Sequence, residues 1–191
     1  LTGALASTHR VFGETPVIGS FPHAADRLVK CRAGMSGRLD GLEYRVLHPT
    51  GALPYLKNNS SCVLGIRNGA AGFLLPGDVD TGIERRLLLE GLEPYSLLLV
   101  PHHGSASSSS DGFISRVRPD AAIASAGLGN RFGFPRVAVQ ERYRRLGVPL
   151  WSTGECGGLS VRIGRDGGIS ASSARRGESR IWRWPAAKEC P

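Results

Sequence analysis

Apolar and polar side chains alternate over Leu42-Glu-Tyr-Arg-Val-Leu47, the period of a half-buried strand, and His48-Pro49 ends it. Ser61 to Arg67 reads as a second strand. Asn68-Gly69 is a hairpin signal, and Ala71 to Leu75 returns as the partner strand. After Gly77-Asp78 the period changes. Ile83, Leu87, Leu88 and Leu92 recur near helical spacing, which predicts a helix from Thr81 to Gly91. The short apolar run Ser96 to Val100 predicts a buried strand. Phe113, Ile114 and Val117 share one face of a helix over Ser110 to Arg118. Ala121 to Ala126 is a further buried strand. Pro135 suits a first helical position, with the helix running on from Arg136 to Leu146. Val148 to Ser152 and Leu159 to Ile163 are strands, and Asp166-Gly-Gly168 turns the chain before Ile169. Strand and helix thus alternate through the middle of the chain, which argues an α/β layer architecture. Residues 1–40 carry a weaker pattern: a helix start in Leu1 to Ser7 and a short strand over Pro16 to Gly19. There is no internal repeat.

A length of 191 residues makes about one domain or one domain and a tail. The expected division is a domain over 1–165 and a basic tail over 166–191. No apolar run reaches the roughly 20 residues of a membrane span, and no secretory signal opens the chain. It begins at Leu1, and Met35 is its one methionine, so it is expected to be a processed or excised piece. Lys and Arg number 24 against 16 acids, a net charge of +8 that fits an anionic partner such as nucleic acid or a lipid headgroup. The four cysteines form no C-x-x-C, which argues against a zinc ribbon. In an exported domain Cys31–Cys62 is one pairing open to them. Residues 174–185 hold four arginines and two tryptophans. They suit either base and phosphate contacts or, the reading adopted, a tail or last strand closing the core edge.

Two segments carry candidate chemistry. Leu74-Leu-Pro-Gly-Asp78 sets an acid just beyond one apolar strand, and Val100-Pro-His-His-Gly-Ser105 sets two histidines just beyond the next. A right-handed crossover through the helix between them would bring Asp78, His102 and His103 to one carboxyl edge of the sheet, where α/β proteins build sites. A carboxylate and an imidazole there can share a divalent metal, which activates water and neutralises phosphate charge. The plainer alternative makes Asp78 a turn residue or an N-cap. Adjacent histidines point apart, so at most one of the pair is expected as a ligand and the other as a supporting or surface residue. His9, His23 and His48 are isolated and read as structural or exposed. Five serines in the six positions 105–110 make a flexible loop, or supply hydroxyls and amides to a phosphate, with Ser109 or Ser110 capping the next helix. Asn58-Asn-Ser-Ser61 shares that ambiguity. In Asn130-Arg-Phe-Gly-Phe-Pro135, Asn130 and Arg131 can meet an anion while Phe132 and Phe134 pack.

Taken in order, Leu47-His-Pro, Asn58-Asn-Ser-Ser-Cys-Val-Leu64, Leu74-Leu-Pro-Gly-Asp78, Val100-Pro-His-His-Gly-Ser105 with Ser108-Ser109, Pro119-Asp-Ala-Ala-Ile-Ala-Ser125 and Asn130-Arg-Phe-Gly resemble the metallo-β-lactamase-like C-terminal domain of ComEC family DNA-uptake proteins. The resemblance runs over about residues 42–160. It implies an αββα sandwich, beside a polytopic inner-membrane channel that imports single-stranded DNA during natural transformation. It also implies metal-dependent hydrolysis of the strand that is not imported, on the extracytoplasmic (periplasmic) side of the membrane. The implied partners are DNA and the channel portion of the same parent protein, with no small-molecule cofactor. Asp78 matches the family's metal-bridging aspartate and His102-His103 its His-His-Gly-Ser motif, with the choice between the two left open. Ser105, Ser109, Asn130 and Arg131 are the expected DNA or phosphate contacts. The oxygen and nitrogen donors suit Mn²⁺, Zn²⁺ or Mg²⁺.

The chain departs from the family pattern twice. The superfamily's His-x-Asp-x-Asp-His is absent, and Thr2-Gly-Ala-Leu looks like the segment that normally comes directly after it, so that motif and the first strands are expected to be missing. Phe134 stands where the family reads His before Pro, and phenylalanine neither binds metal nor moves protons. A poor or inactive nuclease is therefore expected from this chain alone. Two other functions remain open: a degenerate basic module that binds and guides DNA, and a metallo-hydrolase of another small substrate on the same fold.

Overall fold

Seven strands line up in one sheet in the order of the chain, and that order decides where the site lies. The computed structural model describes residues 17–19, 28–51, 54, 56–69, 71–164, 166–175 and 190–191. β1 (Val17–Gly19) and β2 (Leu28–Lys30) form a separate parallel pair. The main sheet opens with β3 (Ser36–Leu39), β4 (Leu42–His48), β5 (Val63–Asn68) and β6 (Ala71–Leu75), all antiparallel neighbours. β5 and β6 form the expected hairpin, but Asn68 is the last residue of β5 and pairs with Ala71, so the turn starts at Gly69. β7 (Leu97–Leu99), β8 (Ala121–Ala124) and β9 (Leu150–Ser152) continue the sheet in parallel. Parallel neighbours need crossovers. These are α1 (Thr81–Leu89), α2 (Asp111–Val117) and α3 (Val137–Arg145). A short α4 (Thr153–Cys156) comes after β9, and β10 (Leu159–Ile163) with β11 (Ile169–Ser173) closes as an antiparallel hairpin.

The alternation of side chains along β7 divides the interior. Leu98 and Val100 face the helices and join Ile83, Leu87, Phe113, Ile114, Val139 and Tyr143 in the larger core. Leu97 and Leu99 face the other way, against Trp151 and the apolar side of the hairpin, Leu159, Val161, Ile163 and Ile169. Helices, main sheet and second sheet thus make three of the four layers of the αββα sandwich, and the α/β expectation holds.

Several expectations need correction. The division at 165/166 falls inside the β10–β11 hairpin, because Ile163 pairs with Ile169 across the turn. Pro135 does not open a helix: α3 begins at Val137 with Arg136 as its N-cap. The Cys31–Cys62 pairing left open by the sequence is formed (Cα–Cα 6.1 Å), and Cys156 pairs with Cys190 (5.4 Å). The expected helix in Leu1 to Ser7, His9, His23 and the Arg/Trp segment from residue 176 onward lie outside the described residues. Among the described residues no helix is long and apolar enough to cross a membrane.

Candidate active site

β6 and β7 run parallel, with Phe73 opposite Leu97 and Leu74 opposite Leu98, so the loops leaving both strands emerge at the same sheet edge. Asp78 comes off β6 and the two histidines off β7. A 3₁₀ turn over Pro101–Gly104 carries the pair. His102 (φ 49°, ψ 40°) and His103 (φ 57°, ψ 13°) are both left-handed. That conformation costs about 1–2 kcal/mol per non-glycine residue and is retained where the surroundings enforce it. Two hydrogen bonds do so here. The His102 amide donates to the Gly77 carbonyl (2.9 Å), and the Gly104 carbonyl accepts from the Arg136 amide (2.9 Å). Gly77 (φ 63°) lies so close to Ser61 that a β-carbon would meet the Ser61 Cβ at 2.7 Å.

The N-cap alternative for Asp78 is excluded. Asp80 caps α1 through Gly82 and Ile83, and it also accepts from the Asn59 side chain (2.7 Å). Asp78 keeps its carboxylate for the sheet edge, while its amide donates to Ser61 Oγ (3.1 Å). His103 Nδ1 lies 2.8 Å from the Ser125 carbonyl, which can only accept, so this nitrogen carries the proton. In the neutral ring the lone pair is then at Nε2, 3.4 Å from Asp78 Oδ1. Two acceptors face each other across a half-open gap, the side chains being 39% (Asp78) and 47% (His103) exposed. His102 is held differently: the Asn58 amide Nδ2 lies 3.3 Å from its Nε2. Its Nδ1 is buried with no partner among the described residues.

Asp78 and His103 have the donor chemistry for a divalent ion, but two donors do not complete one. Among the described residues no group of three or more His, Cys, Asp or Glu could hold a metal. A structural zinc takes four ligands and a catalytic one three, so the residues present do not make up a tight metal site. Phe134 fills one place beside them. Its ring meets the His102 ring edge-on at 5.9 Å between centroids.

The remaining expected contacts separate. Ser105 stays half-buried at the end of the histidine turn, its hydroxyl 3.1 Å from that of Ser107. Ser109 does not face an anion: it is fully buried, its amide donates to Glu84, and its hydroxyl accepts from Tyr143 (3.3 Å). Ser110, not Ser109, caps α2. Asn130 spends its side chain inside its own loop, on the Gly127 carbonyl (2.9 Å) and on both the carbonyl and the amide of Phe134. Arg131 is exposed, its guanidinium 4.7 Å from the centre of the Phe132 ring. His48 is buried and bonded to the Asn59 carbonyl (2.8 Å), the structural role expected of it.

The support under the serine loop has no sequence signature. Glu84 on α1 is fully buried and accepts from the amides of Ser109 and Ser110. Arg142 on α3 donates to the Ser108 (3.0 Å) and Ser109 (2.7 Å) carbonyls. Burial pushes the Glu84 carboxyl above its ordinary value, against the lowering effect of the Ser109 and Ser110 bonds and of Arg142. The unfolded chain therefore releases this proton first, near pH ~4.3, and the folded protein holds it to a higher pH. The Glu84 contribution to stability is accordingly full below that pH and declines as pH rises through the folded value. Denaturant titrations across this range should show a decline with pH that Glu84→Gln flattens. An unchanged slope in the variant would remove Glu84 as its source.

No family model matches the chain. The chain is 40% identical over 138 residues to competence protein ComA of Neisseria gonorrhoeae, covering 71% of this chain and 20% of the relative. Recombination protein 2 of Haemophilus influenzae is 34% identical over 136 residues (71% and 17%). ComE operon protein 3 of Bacillus subtilis is 32% identical over 127 residues (65% and 16%). A metallo-β-lactamase superfamily protein of Thermotoga maritima superposes with a TM-score of 0.40 at 10% identity, over 64% of this chain and 60% of that one. That likeness adds nothing to the layers seen directly. An α/β sandwich with an Asp78–His103 pair on its carboxyl edge is the class that fold and site define. Over the matched stretch the chain belongs to the ComEC family of competence proteins. It spans a fifth or less of the length of these relatives (20%, 17% and 16%).

Proposed function

We propose that this chain is the nuclease-like part of a DNA-uptake protein, with Asp78 and His103 at the centre of its site. The observation that carries the reading is the approach of Asp78 Oδ1 and His103 Nε2, two groups with metal-donor chemistry, to 3.4 Å on the carboxyl edge of the sheet. These two donors do not hold a divalent ion by themselves, so the reading requires further ligands from the parent protein, with which an ion there would activate water and offset phosphate charge. The bonds of the chain's own residues define their roles. The Ser125 carbonyl holds His103 in the tautomer that presents Nε2, and Asn58 holds His102 beside it. With these donors alone hydrolysis of phosphodiesters is weak. In the parent protein the strand hydrolysed is the one not imported during transformation, beside the membrane channel and on its extracytoplasmic side. The net charge of +8 supports a polyanionic substrate.

The second reading is a DNA-binding and guiding module whose chemistry has lapsed. Phe134 favours it, since an aromatic hydrocarbon beside His102 contributes no ligand. Both readings require DNA binding by the 191-residue chain that weakens at least about tenfold between about 50 and 200 mM salt and persists in EDTA. Fluorescence anisotropy with a labelled oligonucleotide measures this. An affinity indifferent to salt, or no binding at all, would remove both. Salt-dependent binding together with a parent protein that never cuts DNA would leave the guiding module.

A further inference from the structure

The loop from Gly127 to Arg136 carries a stacked aromatic pair, Phe132 exposed and Phe134 half-buried, that the hydrolytic reading does not use. Phe132 and Phe134 stack with centroids 5.4 Å apart and planes inclined by 19°. Phe132 is 50% exposed, and Leu128 (50%) and Val137 (68%) extend the same short stretch as exposed apolar side chains. Isolated exposed apolar residues need no explanation, but a run of them beside a site does. The loop is held in shape: Asn130 bonds across it to Gly127 and Phe134, and the Arg136 amide ties it to Gly104 of the histidine turn. Two cations flank the rings, Arg131 at 4.7 Å from the Phe132 centroid and Arg136 at 5.8 Å from that of Phe134. At the inner end Phe134 meets His102. The row therefore leads outward from His102, the neighbour of His103 in the histidine turn.

We propose that Phe132 and Phe134 form a stacking shelf for the bases of a single DNA strand, with Arg131 and Arg136 on the phosphates either side. The inference rests on the DNA reading above and adds the form of DNA that is held. A flat π-face accepts any nucleobase, because every base has a π-face of its own. An uncharged aliphatic partner would cover the rings and leave the two guanidiniums without an anion. A duplex keeps its base faces stacked inside and cannot use the shelf. Arg131 is exposed and free to leave the Phe132 ring for a phosphate as a base arrives. On this account Phe134, which costs the site a ligand, serves to anchor the strand.

The test uses the full chain with labelled single strands of equal length and charge, one bearing bases and one abasic. The wild type should bind the base-bearing strand about tenfold more tightly than the abasic one. Phe132→Ala should erase that difference while keeping salt-dependent binding to duplex, and Phe132→Trp should preserve or widen it. Phe132 is half exposed, so neither change threatens folding. Equal affinity of the wild type for the two strands, or a base preference that persists in Phe132→Ala, overturns the shelf. With duplex still bound, only the shelf fails; with no DNA bound in any form, the DNA reading fails with it. Self-association that Phe132→Ala abolishes, without a base preference, would assign the patch to a second copy of the chain and overturn the proposal.

Discussion

Gly104→Ala is expected to lower the midpoint of thermal unfolding by about 10 °C. Gly104 has φ 87°, and a β-carbon built on it would lie 2.5 Å from Pro135 Cβ and 2.8 Å from Pro135 Cα. Neither obstacle is the flexible end of a long side chain. A left-handed non-glycine residue costs of order 1–3 kcal/mol, and forcing an extra methyl into a packed contact costs about 1–3 kcal/mol. Together they come to about 3 kcal/mol, and in a chain of this size each kcal/mol moves the midpoint by about 2–4 °C. The damage reaches the site, because the Gly104 carbonyl anchors the Arg136 amide and the residue before Gly104 is His103. Gly127→Ala is the control: nothing lies within 4 Å of its added carbon, so its midpoint should match the wild type. Scanning calorimetry of the two variants decides the matter. A Gly104→Ala protein that melts with the wild type would show that the histidine turn and the Pro135 loop do not press on each other as described.

The range of each interaction decides how far the sequence alone discloses it. The β5–β6 hairpin is legible because Asn68-Gly69 sits between two strand-like runs and the signal is local. Asp78 and the histidine pair are legible because each comes directly after an apolar strand, and parallel pairing carries both to one edge. The cap of α1 is not legible: Asp78 and Asp80 both precede the helix, and only the bonds from the Gly82 and Ile83 amides to the Asp80 carboxylate show which is engaged. Ser109 misleads because a serine in a serine run reads as surface, whereas its partners Glu84 and Tyr143 come from two separate helices. The choice between His102 and His103 depends on the Ser125 carbonyl, a backbone atom that leaves no mark in the sequence. Pro135 looks like a helix start, but it packs on Gly104 and α3 begins two residues later.

The largest functional effect should come from Asp78 and His103. Each supplies one of the two opposed donors, so Asp78→Ala or His103→Ala leaves a single donor at the gap. Loss of a supporting residue at a metal site typically costs about 10–100-fold, so loss of a donor should cost at least about 100-fold. His102→Ala should cost less, since its Nε2 is engaged by Asn58 and its Nδ1 is buried. The direct measurement is the initial rate at which the longer parent protein, supplied with Mn²⁺, cuts end-labelled DNA with and without Asp78→Ala. The account predicts that the variant still binds DNA in the salt-dependent way of the wild type while its cleavage falls to background. Cleavage at an undiminished rate by Asp78→Ala would contradict it and place the chemistry elsewhere in the protein.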